Sequence, residues 1–321
     1  MHNLLSDIQE AFPDVRFNIS SQELEYGPLD HPSRIDYPSY TYVFVGRSTG
    51  RLPSKRRAHE VLNSLAWEHR YDPVRGYLSH CHRHSQPYPY FRSVASELLG
   101  CRQQGSAEIL TAGPDSGRFI PDVILERSLI GAVARTCNPG CRHDTVLILN
   151  NSRSRGQCQA LEVLAQPSDV CSHERPWAVL NETPFRDLQK QPLITHKGWF
   201  TLIDGAEQRF EQASPETVRE FFSRAIDHPE REYVTQADVP RHGITAGACY
   251  GRVPRNPRHG RPCFLPVNVA VDKAIDLDPL ESDRNAIWAA AVQSYAEHRP
   301  YLFSDQELQA MKPYLAQFQT L

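Results

Sequence analysis

Asp144-Thr145-Val146-Leu147-Ile148-Leu149-Asn150-Asn151-Ser152-Arg153-Ser154-Arg155-Gly156-Gln157-Cys158 is the stretch whose reading decides the fold. From Thr145 to Leu149 the residues are apolar or β-branched without alternation, the pattern of a strand covered on both faces, as in a parallel sheet. A polar loop from Asn150 to Gly156 follows. Ala160, Leu161, Val163 and Leu164 then recur at helical spacing. Strand, loop, helix is the repeating step of α/β proteins. A second step begins at Trp199-Phe200-Thr201-Leu202-Ile203, passes Asp204 and Glu207, and enters a helix predicted over 215–226. After Pro254 the chain reads as irregular until the apolar run Cys263-Phe264-Leu265-Pro266-Val267.

Outward from this core the patterns are mostly helical. A helix is predicted from Leu4 to Phe12, a strand from Val15 to Ile19, and a helical stretch from Lys55 to Leu78 interrupted by Pro73. Further helices are predicted over 91–101 and 122–136, the second with Val123, Ile124, Ile130, Val133 and Ala134 as an inward stripe, and a loop over 111–118 separates them. The chain ends in helices near 283–296 and 304–318, where Ile287, Trp288, Ala291, Val292 and Tyr295 suit packing against the core. The expected division is an entry region 1–57, a mainly helical region 58–130, an α/β core 131–268 and a helical tail 269–321.

Composition bounds the function. In 321 residues, 35 basic against 38 acidic side chains leave a net charge of -3, so any nucleic-acid surface must be local rather than global. No apolar run approaches the ~20 residues of a membrane span, and the first ten residues lack the pattern of a secretory leader, so a cytoplasmic protein is expected. Eight cysteines at irregular spacing suit reduced, buried thiols better than a disulfide framework. His80-Cys81-His82-Arg83-His84, with Cys137, Cys141 and His143, lacks the ligand spacing of common zinc sites, and no metal site is assigned.

The loop between the first strand and helix lies where nucleotide-binding proteins hold phosphates, because backbone N–H groups and the helix dipole converge there. The phosphate-loop pattern GxxxxGK[ST] falls on Asn151, Gly156, Gln157 and Cys158. Only the second glycine is kept. Gln157 has no charge for the β/γ-phosphates, and a thiol at Cys158 is a poor ligand for magnesium. Arg153 and Arg155 are the remaining candidates to reach phosphate. A thiol at a helix N-terminus is also expected to have a lowered pKa, which would make Cys158 a nucleophile candidate. Asp204, at the end of the second apolar strand, is placed to hold a metal-bound water, and Glu207 to orient an attacking one.

Five stretches in a shared order resemble a known family. They are Pro73-Val74-Arg75-Gly76-Tyr77-Leu78; Pro139-Gly140-Cys141-Arg142-His143-Asp144-Thr145-Val146-Leu147; Phe221-Phe222-Ser223-Arg224 with Asp227 and Tyr233; Gly260-Arg261-Pro262-Cys263-Phe264-Leu265-Pro266-Val267; and Asp272-Lys273-Ala274-Ile275-Asp276-Leu277-Asp278-Pro279-Leu280, continuing from Asp283 to Tyr295. The chain is similar to the virulence-associated E family, P-loop ATPases related to superfamily 3 helicases and common in prophages and phage satellites. The resemblance implies an α/β core of the ASCE type, ATP and magnesium as cofactors, and rings assembled around DNA. It also marks departures. Beyond the phosphate loop, Pro262 and Cys263 stand where paired arginines are implied, and Ala246-Gly247-Ala248-Cys249-Tyr250 stands where a sensing strand would end in Thr-Thr-Asn.

An arginine finger alone is worth ~10³–10⁵ in rate, so losing several such groups together predicts a pseudo-ATPase. Its expected role is nucleic-acid-linked, in mobile-element replication or its interference, through binding or assembly with copies of itself or a related ATPase subunit. An active ATPase or helicase with rebuilt phosphate contacts, and an adaptor that binds only protein, are the alternatives. Arg252, Arg255, Arg258 and Arg261 recur every third residue among prolines, a spacing that would line one edge of a polyproline II segment and suit a phosphate backbone.

Overall fold

The computed structural model describes residues 4–28, 33–35, 40–153, 156–167, 177–190, 192–228, 238–258, 260–269 and 274–318. The chain divides into two compact units, Met1–Val74 with His228–Val239, and Arg75–Asp227 with Pro240–Leu321. The family stretches quoted above lose Tyr233, Asp272 and Lys273 to positions outside the described residues.

In the first unit, α1 (Leu4–Ala11) leads into an antiparallel sheet of β1 (Arg16–Asn18), β2 (Glu23–Tyr26) and β3 (Ser33–Arg34). Two more helices, α2 (Thr41–Thr49) and α3 (Lys55–Glu68), pack on α1 around Ile8, Phe12, Val45, Leu62 and Leu65. The predicted first helix and strand are present. The sequence reading leaves 41–49 without an element, because Thr41, Val43 and Val45 are poor helix formers. Packing between α1 and α3 overrides that preference.

The helix α4 (Pro73–His84) begins at the boundary between the units, and α5 (Val94–Leu99) and α6 (Ile120–Cys137) follow in the second unit. Pro73 starts a helix rather than interrupting one, since a missing N–H is harmless in the first turn. The predicted inward stripe on α6 is replaced by burial on every side from Ile120 to Thr136. Its charges are matched within the protein: Arg127 pairs with Glu307 at 2.6 Å and Asp115 at 2.7 Å, and Arg118 pairs with Glu126 at 2.5 Å.

The core then follows as β4 (Val146–Asn150), α7 (Gln157–Ala165), β5 (Ala178–Leu180), α8 (Phe185–Lys190), β6 (Phe200–Ile203), α9 (Ala206–Arg209) and α10 (Pro215–Ser223). After the two-residue strands β7 (Ile226–Asp227) and β8 (Val239–Pro240) come β9 (Ile244–Cys249), β10 (Phe264–Asn268), α11 (Leu277–Ala296), α12 (Asp305–Ala310) and α13 (Lys312–Ala316). The five-stranded sheet has the order β10-β4-β9-β6-β5, with every neighbour parallel. β9 therefore lies between the strand that enters the glycine loop and the strand that ends in Asp204. That inserted strand is the mark of the ASCE-type sheet.

Both faces of the sheet are covered, as parallel strands require. On one face α11 packs against α6 and α7, with Trp288 Nε1 donating to the Leu164 carbonyl at 2.8 Å and the Trp199 and Trp288 rings 4.3 Å apart. On the other, Phe185, Phe210, Val218, Phe221 and Phe222 pack onto Val146, Ile148 and Phe264. No helix of the described residues is long and apolar enough to cross a membrane.

Candidate nucleotide site

Parallel strands bring their carboxyl ends to one edge, the usual ligand position in open α/β sheets. Here that edge carries Asn151 after β4, Asp204 after β6, Tyr250 after β9 and Val269 after β10. Asn151 ties the edge together. Its N–H donates to the Cys249 carbonyl at 3.1 Å, its side-chain oxygen accepts from the Arg153 N–H at 3.0 Å, and its amide reaches the Val269 carbonyl at 3.4 Å.

Gly156 caps α7 with φ of 88°, a left-handed backbone that favours glycine. Gln157 follows and is fully buried, its amide donating to the Arg153 carbonyl at 3.0 Å. The side chain in the lysine position is thus turned inward and holds the loop's own backbone. The Arg153 side chain is exposed. Arg155 lies outside the described residues.

Cys158 faces the carboxylate that ends β6. Burial, and then the Asp204 carboxylate to which the thiol donates, push its pKa up to about 12. This reverses the expectation of a thiol activated by the helix N-terminus: at neutral pH Cys158 is a protonated hydrogen-bond donor. Asp204 is also engaged by the Tyr250 hydroxyl, which donates to Oδ1. The Tyr250 N–H donates to Glu207 Oε1 at 3.1 Å, and the buried Cys249 thiol is held against the same carboxylate. The structure thus brings Gln157, Cys158, Asp204 and Glu207 to one edge and adds Tyr250, which sequence reasoning passed over. Its position at the end of the expected sensing strand was the available signal.

The arginine segment follows Tyr250. Arg252, Arg255 and Arg258 are exposed while Val253, Pro254 and Pro257 are buried, a three-residue alternation that puts the guanidiniums on one side. Asn256 fastens the segment to β10, accepting from the Cys263 and Phe264 N–H groups at 2.8 and 2.7 Å. The three arginines line a cavity of about 570 Å³ shared with Glu207, Glu211 and Glu216. Arg261 leaves the row: it pairs with Asp305 at 2.8 Å and approaches Asp144 at 3.7 Å. Cys81 is buried against Asn285, and among the described residues no three metal-ligating side chains converge.

A parallel sheet with the inserted strand, a glycine turn at the head of α7 and an acid at the end of β6 define the P-loop ATPase class of α/β fold. Residues 113–319 match the family profile described as the virulence-associated protein E-like domain. The chain belongs to that family. It is also similar to the solved A form apo structure of the NrS-1 C terminal region, at 9% identity and a TM-score of 0.52, covering 96% of this chain and 74% of that one. A second apo structure of that region (305-718) gives 8% identity, a TM-score of 0.49 and the same coverages. No curated protein matches the sequence.

Proposed function

We propose that this chain is a catalytically degenerate member of its family, serving mobile-element replication or its interference by binding nucleic acid or by assembly rather than by hydrolysing ATP. The observation that carries the reading is the inward turn of Gln157 onto the Arg153 carbonyl, where the phosphate-loop pattern requires a cation reaching outward. Two further contacts support it. A protonated thiol at Cys158 and a tyrosine hydroxyl on Asp204 meet the place where that pattern asks for oxygen ligands to magnesium, so these residues do not fit a magnesium triphosphate. Arg252, Arg255 and Arg258 are the nucleic-acid contacts of this reading, acting on the phosphate backbone without base readout.

The test is a turnover assay on the purified chain with and without single-stranded DNA. Phosphate release is expected at the level of Asp204→Ala in both conditions, and ATP is expected to leave the melting temperature unchanged, because only a ligand that binds the folded state stabilises it. Sustained turnover that Asp204→Ala abolishes would refute the proposal. It would favour the second reading, an active ATPase or helicase, whose support is that Cys158 and Asp204 remain neighbours and that Glu207 lies at the same edge of the sheet.

A further inference from the structure

From Thr41 to His59 the chain carries no acidic residue but has Arg47, Arg51, Lys55, Arg56 and Arg57. The first unit folds this stretch as helix, turn, helix. Gly50 ends α2 at φ of 70°, with its N–H returning to the Gly46 carbonyl at 3.0 Å, and Ser54 starts α3 by accepting from the Arg57 N–H at 3.4 Å. Ala58, His59, Leu62, Leu65 and Ala66 form the buried face of α3, which packs on α1, α2 and β1. Arg56, Arg57, Glu60, Ser64 and Trp67 are left exposed.

The side chains of Arg47, Arg51 and Arg57 are exposed and make no ion pair or hydrogen bond among the described residues; Arg56 pairs with Glu60 at 2.8 Å. Three unpaired guanidiniums thus flank one turn, at the head of the 14-residue helix α3. A cavity of about 680 Å³ in this unit, lined by residues such as Phe12, Val15, Leu65 and His69, includes none of these cations. A single strand is bound in a groove with aromatic platforms, whereas a helix of about 10–12 Å diameter fits the major groove of a duplex, about 12 Å wide.

We propose that the first unit is a duplex-DNA-binding module, with the N-terminal half of α3 entering the major groove and Arg47, Arg51 and Arg57 on flanking phosphates. The proposal uses this unit alone and stands whether or not the second unit binds nucleotide or nucleic acid. Its test is fluorescence anisotropy of the full chain with a labelled mixed-sequence duplex of ~20 base pairs, two helical turns. Replacing Arg47, Arg51 and Arg57 together by Glu is expected to weaken duplex binding at least ~10-fold at low salt and to flatten the log–log salt slope by about 2.7, three phosphates at 0.9 each. The triple Lys variant is expected to retain most of the affinity. The triple Gln variant supplies the same comparison if the triple Glu chain loses its helical circular dichroism. Arg252→Glu/Arg255→Glu/Arg258→Glu is expected to keep the Arg47-dependent part of binding. Duplex affinity unchanged in both the Glu and Gln triples, no duplex binding by the parent chain at low salt, or, in the Arg252→Glu/Arg255→Glu/Arg258→Glu chain, tighter binding to a single strand of equal length would each overturn the proposal.

Discussion

Arg127 shows how a charge is made tolerable inside this protein. Its guanidinium, 2% exposed, meets Glu307 and Asp115, donates to the Leu302 carbonyl at 2.9 Å and lies 4.5 Å from the Phe303 ring centre. Removing one partner from a buried pair strands the other, so Arg127→Met is expected to cost about 3–5 kcal/mol in urea unfolding. His143 gives a pH prediction. Burial, and then Arg135 nearby, hold its pKa down to about 3 against an ordinary 6.5. Between those values the unfolded chain carries a proton that the folded chain excludes, so stability is fully present above about 6.5 and falls as pH drops. The contribution is up to about 1.4 kcal/mol per pH unit. His143→Gln is expected to flatten the loss of stability between pH 7 and 5, measured by denaturant titration. Asp227 adds loss only at lower pH. Burial would raise its pKa, but His196 and Arg241 outweigh burial and hold it at about 2, so its contribution disappears as pH falls below about 3.8.

At the scale of elements, β9 explains why the sheet closes as it does. Ile244-Thr245-Ala246-Gly247-Ala248-Cys249 is too small and too rich in alanine and glycine to read as a central strand. Small residues are nonetheless what its place requires. A Cβ on Gly247 would lie 2.8 Å from the Ile203 carbonyl oxygen and 3.2 Å from Ile148 Cδ1. Gly247→Ala is therefore expected to destabilise by about 1–3 kcal/mol through overpacking, seen as a lower melting temperature. The same crowding binds fold to site, because β9 delivers Tyr250 to Asp204 and Glu207.

For the whole molecule, a net charge of -3 means that any DNA binding must come from local surfaces and respond to salt. If Arg252, Arg255 and Arg258 each cover one phosphate of a single strand, log affinity is expected to fall with log salt at a slope of about -2.1, 0.7 for each contact. Charge reversal at Arg255 and Arg258 is expected to remove most of that slope in anisotropy titrations. A protein-binding adaptor would keep its partner affinity in that variant. A flat salt response of single-strand binding would exclude the arginine row as a phosphate track.

The sequence by itself determined the strand–loop–helix step at 145–164, the apolar strand ending in Asp204, the buried tail helix and the family. The elements are written in consecutive residues whose periodicity states which faces meet apolar surroundings, and the family in the resemblance of five stretches in a shared order. The departures at Asn151, Gln157 and Cys158 were equally legible, since a motif is a local pattern. Only the tertiary structure decided the full burial of α6, because Arg127 finds the carboxylate of the distant Glu307 and Arg135 finds the carbonyls of His143 and Arg241. It alone placed β9 in the sheet, turned Gln157 inward, set Tyr250 on Asp204 and removed Arg261 from the arginine row. Those outcomes depend on which strand ends and side chains become neighbours in space, and spacing along one chain carries no record of that.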